Sequence, residues 1–251
     1  AIQPGDAGLK VFRNLGSIYF KDITKTSGIP TQITGALKLV MDDWNNDDML
    51  DLFIPRASGP PMFLQKNRGA AHSPTNTFAS LPEATALATG DLNNDLRTDL
   101  VCLANGQLEI TFNGLEEKQT LPLAKGVTAI HLLDYDNDGW LDLFATGDGV
   151  QCFRNRGSAG FAESTAVLGL GTFTGQVTQL AAADIDRDGD SDLLIAHESG
   201  LKYLRNDGGN VNRQLKIRLY GNRSNASGIG IQIETTTIGL RLKRTAQSLP
   251  I

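Results

Sequence analysis

Four stretches of the chain share one frame: "DWNNDDMLDLFI" from Asp43, "DLNNDLRTDLVC" from Asp91, "DYDNDGWLDLFA" from Asp134 and "DIDRDGDSDLLI" from Asp184. Each carries Asp or Asn at positions 1, 3 and 5, Asp at position 9, and an apolar run directly after it. Their first aspartates stand 48, 43 and 50 residues apart. One such run is an ordinary charged loop. Four in one frame at a near-constant period describe a repeat protein, in which each unit buries its apolar face against its neighbours.

A second marker repeats independently. An asparagine closes a short segment at "VFRN" (Asn14), "LQKN" (Asn67), "ITFN" (Asn113), "CFRN" (Asn155) and "YLRN" (Asn206). The last four follow their acidic motif by 24, 22, 21 and 22 residues, whereas Asn14 has no motif ahead of it, so the sequence starts inside a repeat. Asn here reads as a turn residue, using local side-chain hydrogen bonds and its tolerance of left-handed backbone.

Around each motif the segments are too short for helices, and Gly, Pro, Asn and Asp punctuate them. First strands are expected at "ALKLVM", "TALAT", "TAIHLL" and "VTQLAAA", and second strands at "DLFI", "DLVCL", "DLFA" and "DLLIA". Third strands follow at "PMFLQKN", "QLEITFN", "VQCFRN" and "LKYLRN"; fourth strands are less distinct, with "TFASLP" and "GFAEST" the clearest. About four short strands per repeat is the pattern of a β-propeller blade, an all-β fold. The unbroken apolar second strands suit positions covered on both faces.

The spacing inside the motif has a chemical reading. Positions 1, 3 and 5 of a tight loop can turn oxygens inward, position 7 can offer a carbonyl, and position 9 returns a carboxylate. Hard oxygen donors in that number suit Ca²⁺, which takes six to eight of them. Zinc would want His or Cys, which these loops lack. An EF-hand would need Glu at position 12, where this chain has Ile54, Cys102, Ala145 and Ile195, already inside strands. The alternative is a set of solvated aspartates forming Asx turns. The loops at Asp134 and Asp184 carry a carboxylate at each of positions 1, 3, 5 and 9 and a glycine at position 6, Gly139 and Gly189, where a sharp turn requires positive φ. The other two have Asn45 and Asn93 at position 3, and Asp48 and Leu96 at position 6. Leucine is costly at positive φ, so the Asp91 loop is expected to be the weakest site.

Composition narrows the function classes. The net charge of −5, with no Lys/Arg run, argues against nucleic acid, and no apolar stretch reaches the roughly 18–20 residues of a membrane span. The start "AIQPGDAGLK" has no basic or apolar leader region, so a signal peptide was removed, never existed, or the chain is an internal fragment. Two cysteines, Cys102 and Cys152, sit in strand-like surroundings and read as buried thiols or as one bridge. His72, His131 and His197 fall in different repeats, and no nucleophile elbow or phosphate-cradling glycine loop is present, so the chain does not read as an enzyme.

The pair "DYDNDGWLDLF" and "FRNRGSAGFAEST" resembles the FG-GAP/VCBS repeat of integrin-α-type propellers, over about residues 9–210. The tail "LKIRLYGNRSNASGIGIQIE" (215–234) resembles the ASPIC/UnbV segment that follows such repeats in bacterial proteins and in cartilage acidic protein, with "SNASGIG" its most specific part. The resemblance implies a repeat domain over 1–213 and an ASPIC/UnbV-like β segment over 214–251, the latter a candidate to complete the N-terminal half blade "LKVFRNLGSIYFKDIT". Four full repeats, that N-terminal half and the C-terminal strand candidates "GIGIQIETT" and "GLRLKRTAQ" predict a five-bladed ring closed by both termini, whereas the resemblance implies part of a seven-bladed one. Carried over residue by residue, the resemblance implies up to four Ca²⁺, placed between first and second strands. Their ligands would be Asp43, Asn45, Asp47 and Asp51; Asp91, Asn93, Asp95 and Asp99; Asp134, Asp136, Asp138 and Asp142; and Asp184, Asp186, Asp188 and Asp192. Carbonyls of Met49, Arg97, Trp140 and Asp190 would complete the shells.

The resemblance further implies a secreted, periplasmic or cell-surface protein. The expected function is a calcium-stabilised protein-interaction or ligand-binding module. The alternatives are a lectin-like carbohydrate binder, as some fungal propellers are, and a calcium-dependent polysaccharide lyase. Binding is expected on the face built from "RASGPP" (56–61), "TGDG" (146–149), "HESG" (197–200) and "SGIPTQIT" (27–34), with Arg56, His197, Glu198 and Phe173 as candidates.

Overall fold

The computed structural model describes residues 9–15, 19–30, 33, 39–54, 56, 61–66, 73–75, 83–112, 117–124, 126–208, 211–212, 215, 217, 219, 231–238 and 240–245. Among them the secondary structure is short antiparallel strands and three single-turn 3₁₀ helices. The chain divides into two compact units, Ala1–Ala86 and Leu87–Ile251.

The first unit holds a hairpin, β1 (Phe12–Asn14) with β2 (Phe20–Asp22), and a four-stranded sheet. That sheet runs in chain order through β3 (Val40–Asp42), β4 (Asp51–Ile54), β5 (Met62–Gln65) and β6 (Ser73–Thr75). Its core gathers Leu9, Ile29, Ile33, Leu52, Ile54 and Leu64.

The second unit repeats the same sheet. One is β7 (Ala86–Gly90), β8 (Asp99–Ala104), β9 (Gln107–Phe112) and β10 (Glu117–Pro122); the next is β11 (Val127–Leu133), β12 (Asp142–Gly147), β13 (Gly149–Asn155) and β14 (Phe161–Glu163). A three-stranded sheet follows, β15 (Val177–Ala183), β16 (Asp192–His197) and β17 (Gly200–Leu204), and then a hairpin, β18 (Gln232–Thr237) with β19 (Leu240–Thr245). Every residue of β8 and β12 is buried, as continuous apolar second strands require. Phe144, Val150 and Cys152 of one sheet pack with Val177, Leu180, Leu193 and Ile195 of the next, and Leu170 closes the cluster. Each such side chain contributes about 1.5–3 kcal/mol on burial.

First, second and third strands lie where the sequence periodicity places them. Of the fourth strands, "GFAEST" supplies β14, while "TFASLP" lies outside the described residues. Neither β6 ("SPT") nor β10 ("EKQTLP") was expected. The second is mostly exposed, and an edge strand needs no apolar alternation to be held by the ladder. Asn105 (φ 52°) and Gly106 (φ 75°) turn β8 into β9, an Asn-Gly hairpin of the kind that matches strand twist. Both C-terminal strand candidates form, paired from Gln232↔Thr245 to Thr237↔Leu240. The 213/214 boundary, the "SNASGIG" segment, Asn67, Asn113 and His72 lie outside the described residues. Cys102 and Cys152 are both buried free thiols.

Candidate metal loops

Each acidic motif is the loop between the first and second strands of a sheet. The registers Asp42↔Asp51, Leu133↔Asp142 and Ala183↔Asp192 place the position 9 aspartate at the mouth of that loop. Three local devices then fold it.

Position 1 accepts the first of them. Asp43, Asp91 and Asp134 each take the N–H of position 5 on one oxygen and that of position 6 on the other, at 3.0–3.1 Å. Position 5 accepts the N–H of position 7: Met49 to Asp47 at 3.0 Å, Arg97 to Asp95 at 2.8 Å, Trp140 to Asp138 at 2.9 Å and Asp190 to Asp188 at 3.2 Å.

The third device is the position 9 carboxylate, which sequence reasoning treated only as a ligand. Asp51, Asp99, Asp142 and Asp192 all accept the N–H of position 2, at 2.8–3.3 Å. The other oxygen of Asp51, Asp142 and Asp192 accepts the N–H of Lys66, Asn155 or Asn206, at 2.7–2.9 Å. Position 9 therefore clamps the loop entrance to the end of the third strand.

The chain turns sharply to allow this. Position 6 is left-handed in all four loops, at Asp48 (φ 64°), Leu96 (φ 70°), Gly139 (φ 92°) and Gly189 (φ 109°). Leu96 thus occupies the costly geometry expected of it. Position 4 is left-handed as well, at Asn46, Asn94, Asn137 and Arg187. That was not anticipated, although Asn in three of the four loops was a usable signal, since Asn tolerates this region best after Gly.

Position 3 separates the loops chemically. Asn45 and Asn93 each donate an amide N–H to the position 5 carboxylate, at 3.1 and 3.2 Å, so these loops partly neutralise themselves. Asp136 and Asp186 cannot donate when ionised. In their place, an arginine precedes the third-strand asparagine. Arg154 Nη2 contacts Asp136 and lies 3.2 Å from Asp138, and Arg205 Nε lies 4.0 Å from Asp186 while pairing with Asp207 at 2.7 Å.

Two clusters result. Asp134, Asp136 and Asp138 bring carboxylate oxygens within 4.8 Å of one another, as do Asp184, Asp186 and Asp188. Asp142 and Asp192 stand outside these groupings. Crowding and burial make the first set costly to ionise. Burial pushes Asp142 up to about 8, against the N–H groups of Asn155 and Tyr135. It pushes Asp134, and in the other loops Asp91 and Asp51, up to about 6. Asp136 is raised by burial and then by the charge of Asp138. Its Oδ1 is buried without a hydrogen-bond partner although Oδ2 meets Arg154. An orphaned carboxylate oxygen among all-oxygen donors fits a hard divalent cation such as Ca²⁺.

The third-strand asparagines do more than serve their turns. Asn155 Oδ1 accepts the N–H of Gly157 at 3.0 Å, as a turn residue would, but Nδ2 donates to Leu141 O at 3.1 Å and to Leu92 O, 63 positions away, at 2.8 Å. Asn206 repeats this with Gly208, Ser191 and Tyr135. Each therefore ties position 8 of its own loop to position 2 of the preceding one. In the other direction, Asn94 Nδ2 donates to Gly139 O and Asn137 Nδ2 to Gly189 O, both at 3.2 Å, so position 4 of one loop reaches position 6 of the next. Arg244 of β19 adds a donor to Gly139 O at 3.1 Å.

At the opposite end of these strands lie the expected binding loops. His197 Nδ1 contacts Ser199 Oγ at 2.8 Å and its Nε2 the Thr174 carbonyl at 2.9 Å, with the Phe173 ring edge-on at 6.4 Å. Glu198 accepts the N–H of Gln176 at 3.1 Å, and Asp148 bridges to Gln176. His197, Glu198 and Phe173 are thus brought together with Asp148. Arg56 lies in the other unit, and 57–60, 31–32 and 34 lie outside the described residues.

Residues 43–102 and 134–195 match the FG-GAP-like repeat, each match running from a first aspartate into a second strand. No curated protein matches the chain in sequence. Among solved structures it resembles a lectin of Agrocybe aegerita, described as specifically recognising non-reducing terminal N-acetylglucosamine, at 15% identity and TM-score 0.52, over 81% of this chain and 58% of that one. It is also similar to a chain in the structure of BBS1N in complex with ARL6DN (15% identity, TM-score 0.47, 69% of this chain and 52% of that one). The biofilm matrix protein Bap1 of V. cholerae matches at 17% identity and TM-score 0.44, over 80% of this chain and 34% of that one. The chain spans about a third to somewhat over half the length of these structures. The fold is thus β-propeller-like and carries FG-GAP-like repeats. No helix among the described residues is long and apolar enough to cross a membrane.

Proposed function

We propose that the chain is a non-enzymatic, calcium-stabilised β-propeller module that acts outside the cytoplasm and binds a protein or another ligand. The observation that carries the calcium part is the Asp134/Asp136/Asp138 cluster with its orphaned Asp136 Oδ1. The aspartates and asparagines at positions 1, 3 and 5 of each loop would hold the ion, with position 7 carbonyls beside them. A bound ion would supply the positive charge that Arg154 alone does not, and would lock the turn between first and second strands. Position 9 serves in this account mainly as the backbone clamp. Calcium at extracellular concentration would keep such loops filled, which supports placement outside the cytoplasm.

Binding is assigned to the end of the sheets away from the acidic loops, where Asp148, Phe173, His197 and Glu198 gather. Rigid sheets with variable turns at one end are how repeat folds present ligand sites. The likeness to the lectin favours carbohydrate as a second reading, because Phe173 beside His197 and two carboxylates offers a ring face and hydrogen-bonding groups. A glycan array run with calcium, beside a pull-down with calcium and with chelator, tests both readings. Glycan binding lost in Phe173→Ala selects the lectin, and a calcium-dependent protein partner selects the interaction module. Unsaturated uronide products from a polysaccharide would contradict both and indicate a lyase.

A further inference from the structure

Arg244 stands at the loop end although the acidic motifs themselves do not require it. It comes from β19, over a hundred positions from the loops it meets, and lies at the Asp91 and Asp134 loops. Its Nη2 shares the Gly139 carbonyl with the amide of Asn94, so both lone pairs of that oxygen are used at the junction of the two loops. A second part of the C-terminal segment reaches the same loop, through Asn212 Nδ2 to Asp136 O at 2.9 Å. The first aspartate of each loop, Asp91 and Asp134, feels the guanidinium charge, and Arg244 feels both in return. A guanidinium cannot shed its proton to relieve repulsion, so this positive charge is fixed.

We propose that Arg244 is a resident counter-cation of the Asp91 and Asp134 loops that weakens divalent-ion binding there, leaving the Asp184 loop to fill first. The inference rests on the calcium reading. Like charges drawn to the same carboxylates oppose each other, and in a half-buried site this opposition is poorly screened. The Asp134 loop already has Arg154 against two of its carboxylates, whereas Arg205 at the Asp184 loop is drawn mainly to Asp207. In sequence the Asp134 and Asp184 loops share Asp at positions 1, 3, 5 and 9 and Gly at position 6; the arginines separate them. Because linkage is reciprocal, ions in the first two loops must also loosen the β18–β19 hairpin.

Calorimetric titration of the full chain with CaCl₂ tests this, comparing wild type, Arg244→Gln and Arg244→Lys. Two sites are expected to tighten by at least about fivefold in Arg244→Gln, the low end of ordinary coupling, and to stay near wild type in Arg244→Lys. The tightest site, recognised by its loss in Asp184→Asn with Asp188→Asn, should not move. Hydrogen exchange of residues 240–245 in the wild type needs no variant and should quicken on adding calcium. Unchanged or weaker binding in Arg244→Gln, or slower exchange with calcium, would overturn the proposal. A wild-type chain that takes up no calcium at all would overturn the calcium reading with it, a result distinct from binding without coupling.

Discussion

Asn155→Ala removes the side chain that joins two repeats. Asn155 is 2% exposed and makes three hydrogen bonds: two donated to Leu92 O and Leu141 O, one accepted from Gly157 N. A typical bond is worth about 0.5–1.5 kcal/mol net, and a buried group left unpaired costs about 1–3 kcal/mol. Water entering the gap recovers some of this, so the expected loss is about 2–4 kcal/mol. Asn206→Ala breaks the same three bonds at a half-buried position where water replaces them more readily, so it should cost about 1–2 kcal/mol. Asn155→Asp keeps the shape but turns an oxygen toward two carbonyls beside buried Asp142, and should cost more than the alanine. Urea unfolding at fixed calcium, with midpoint and slope fitted for each variant, measures all three. An Asn155→Ala midpoint indistinguishable from wild type, or a larger loss at Asn206, would refute the inter-repeat tether.

Three other outcomes are expected. Leu96→Gly relieves a left-handed leucine worth about 1–2 kcal/mol, returns about 0.5–1 kcal/mol to unfolded-chain entropy, and should raise stability slightly, while Gly139→Leu should lower it by about 1–2 kcal/mol in the same urea assay. Burial pushes the Cys102 thiol up to about 12 and raises the Cys152 thiol too, so neither should react with iodoacetamide in the native protein, and both should be labelled in denaturant. In chelator, stability should fall as pH rises from about 4 through 6 to 8. Asp51, Asp91 and Asp134 at about 6 and Asp142 at about 8 hold protons more tightly folded than unfolded, a contribution present below their unfolded pKa and lost above the folded one; Asp188 and Asp192 are shifted the other way. Saturating calcium, which binds the ionised form, should reverse that slope in a pH series of thermal melts.

What could be read from the sequence was whatever repeats with a fixed period. The strands around the four motifs, the left-handed position 6 and the buried second strands all follow from residues that recur in frame. The fourth strands were poorly legible because β10 is held by its ladder at a sheet edge, so "EKQTLP" needed no pattern. Asn155 and Asn206 were readable as turn residues, but their reach to Leu92 and Tyr135 depends on how successive sheets stack, which no local pattern encodes. The position 9 clamp was hidden for another reason: an aspartate suited to bind metal and one suited to accept backbone N–H groups look the same in sequence. Arg244 carried no signal, since its charge matters only once β19 lies against loops formed a hundred residues earlier.

Thermal unfolding in calcium against chelator tests most directly whether a cation fills these loops. At a hundredfold excess over its dissociation constant each filled site adds about 2.7 kcal/mol, so the Asp134 and Asp184 loops should together add about 5 kcal/mol and raise the midpoint by about 10–20 °C. Asp134→Asn with Asp138→Asn should remove roughly half of that gain. A midpoint that does not move between calcium and chelator would contradict the account and leave the loops as self-satisfied Asx turns.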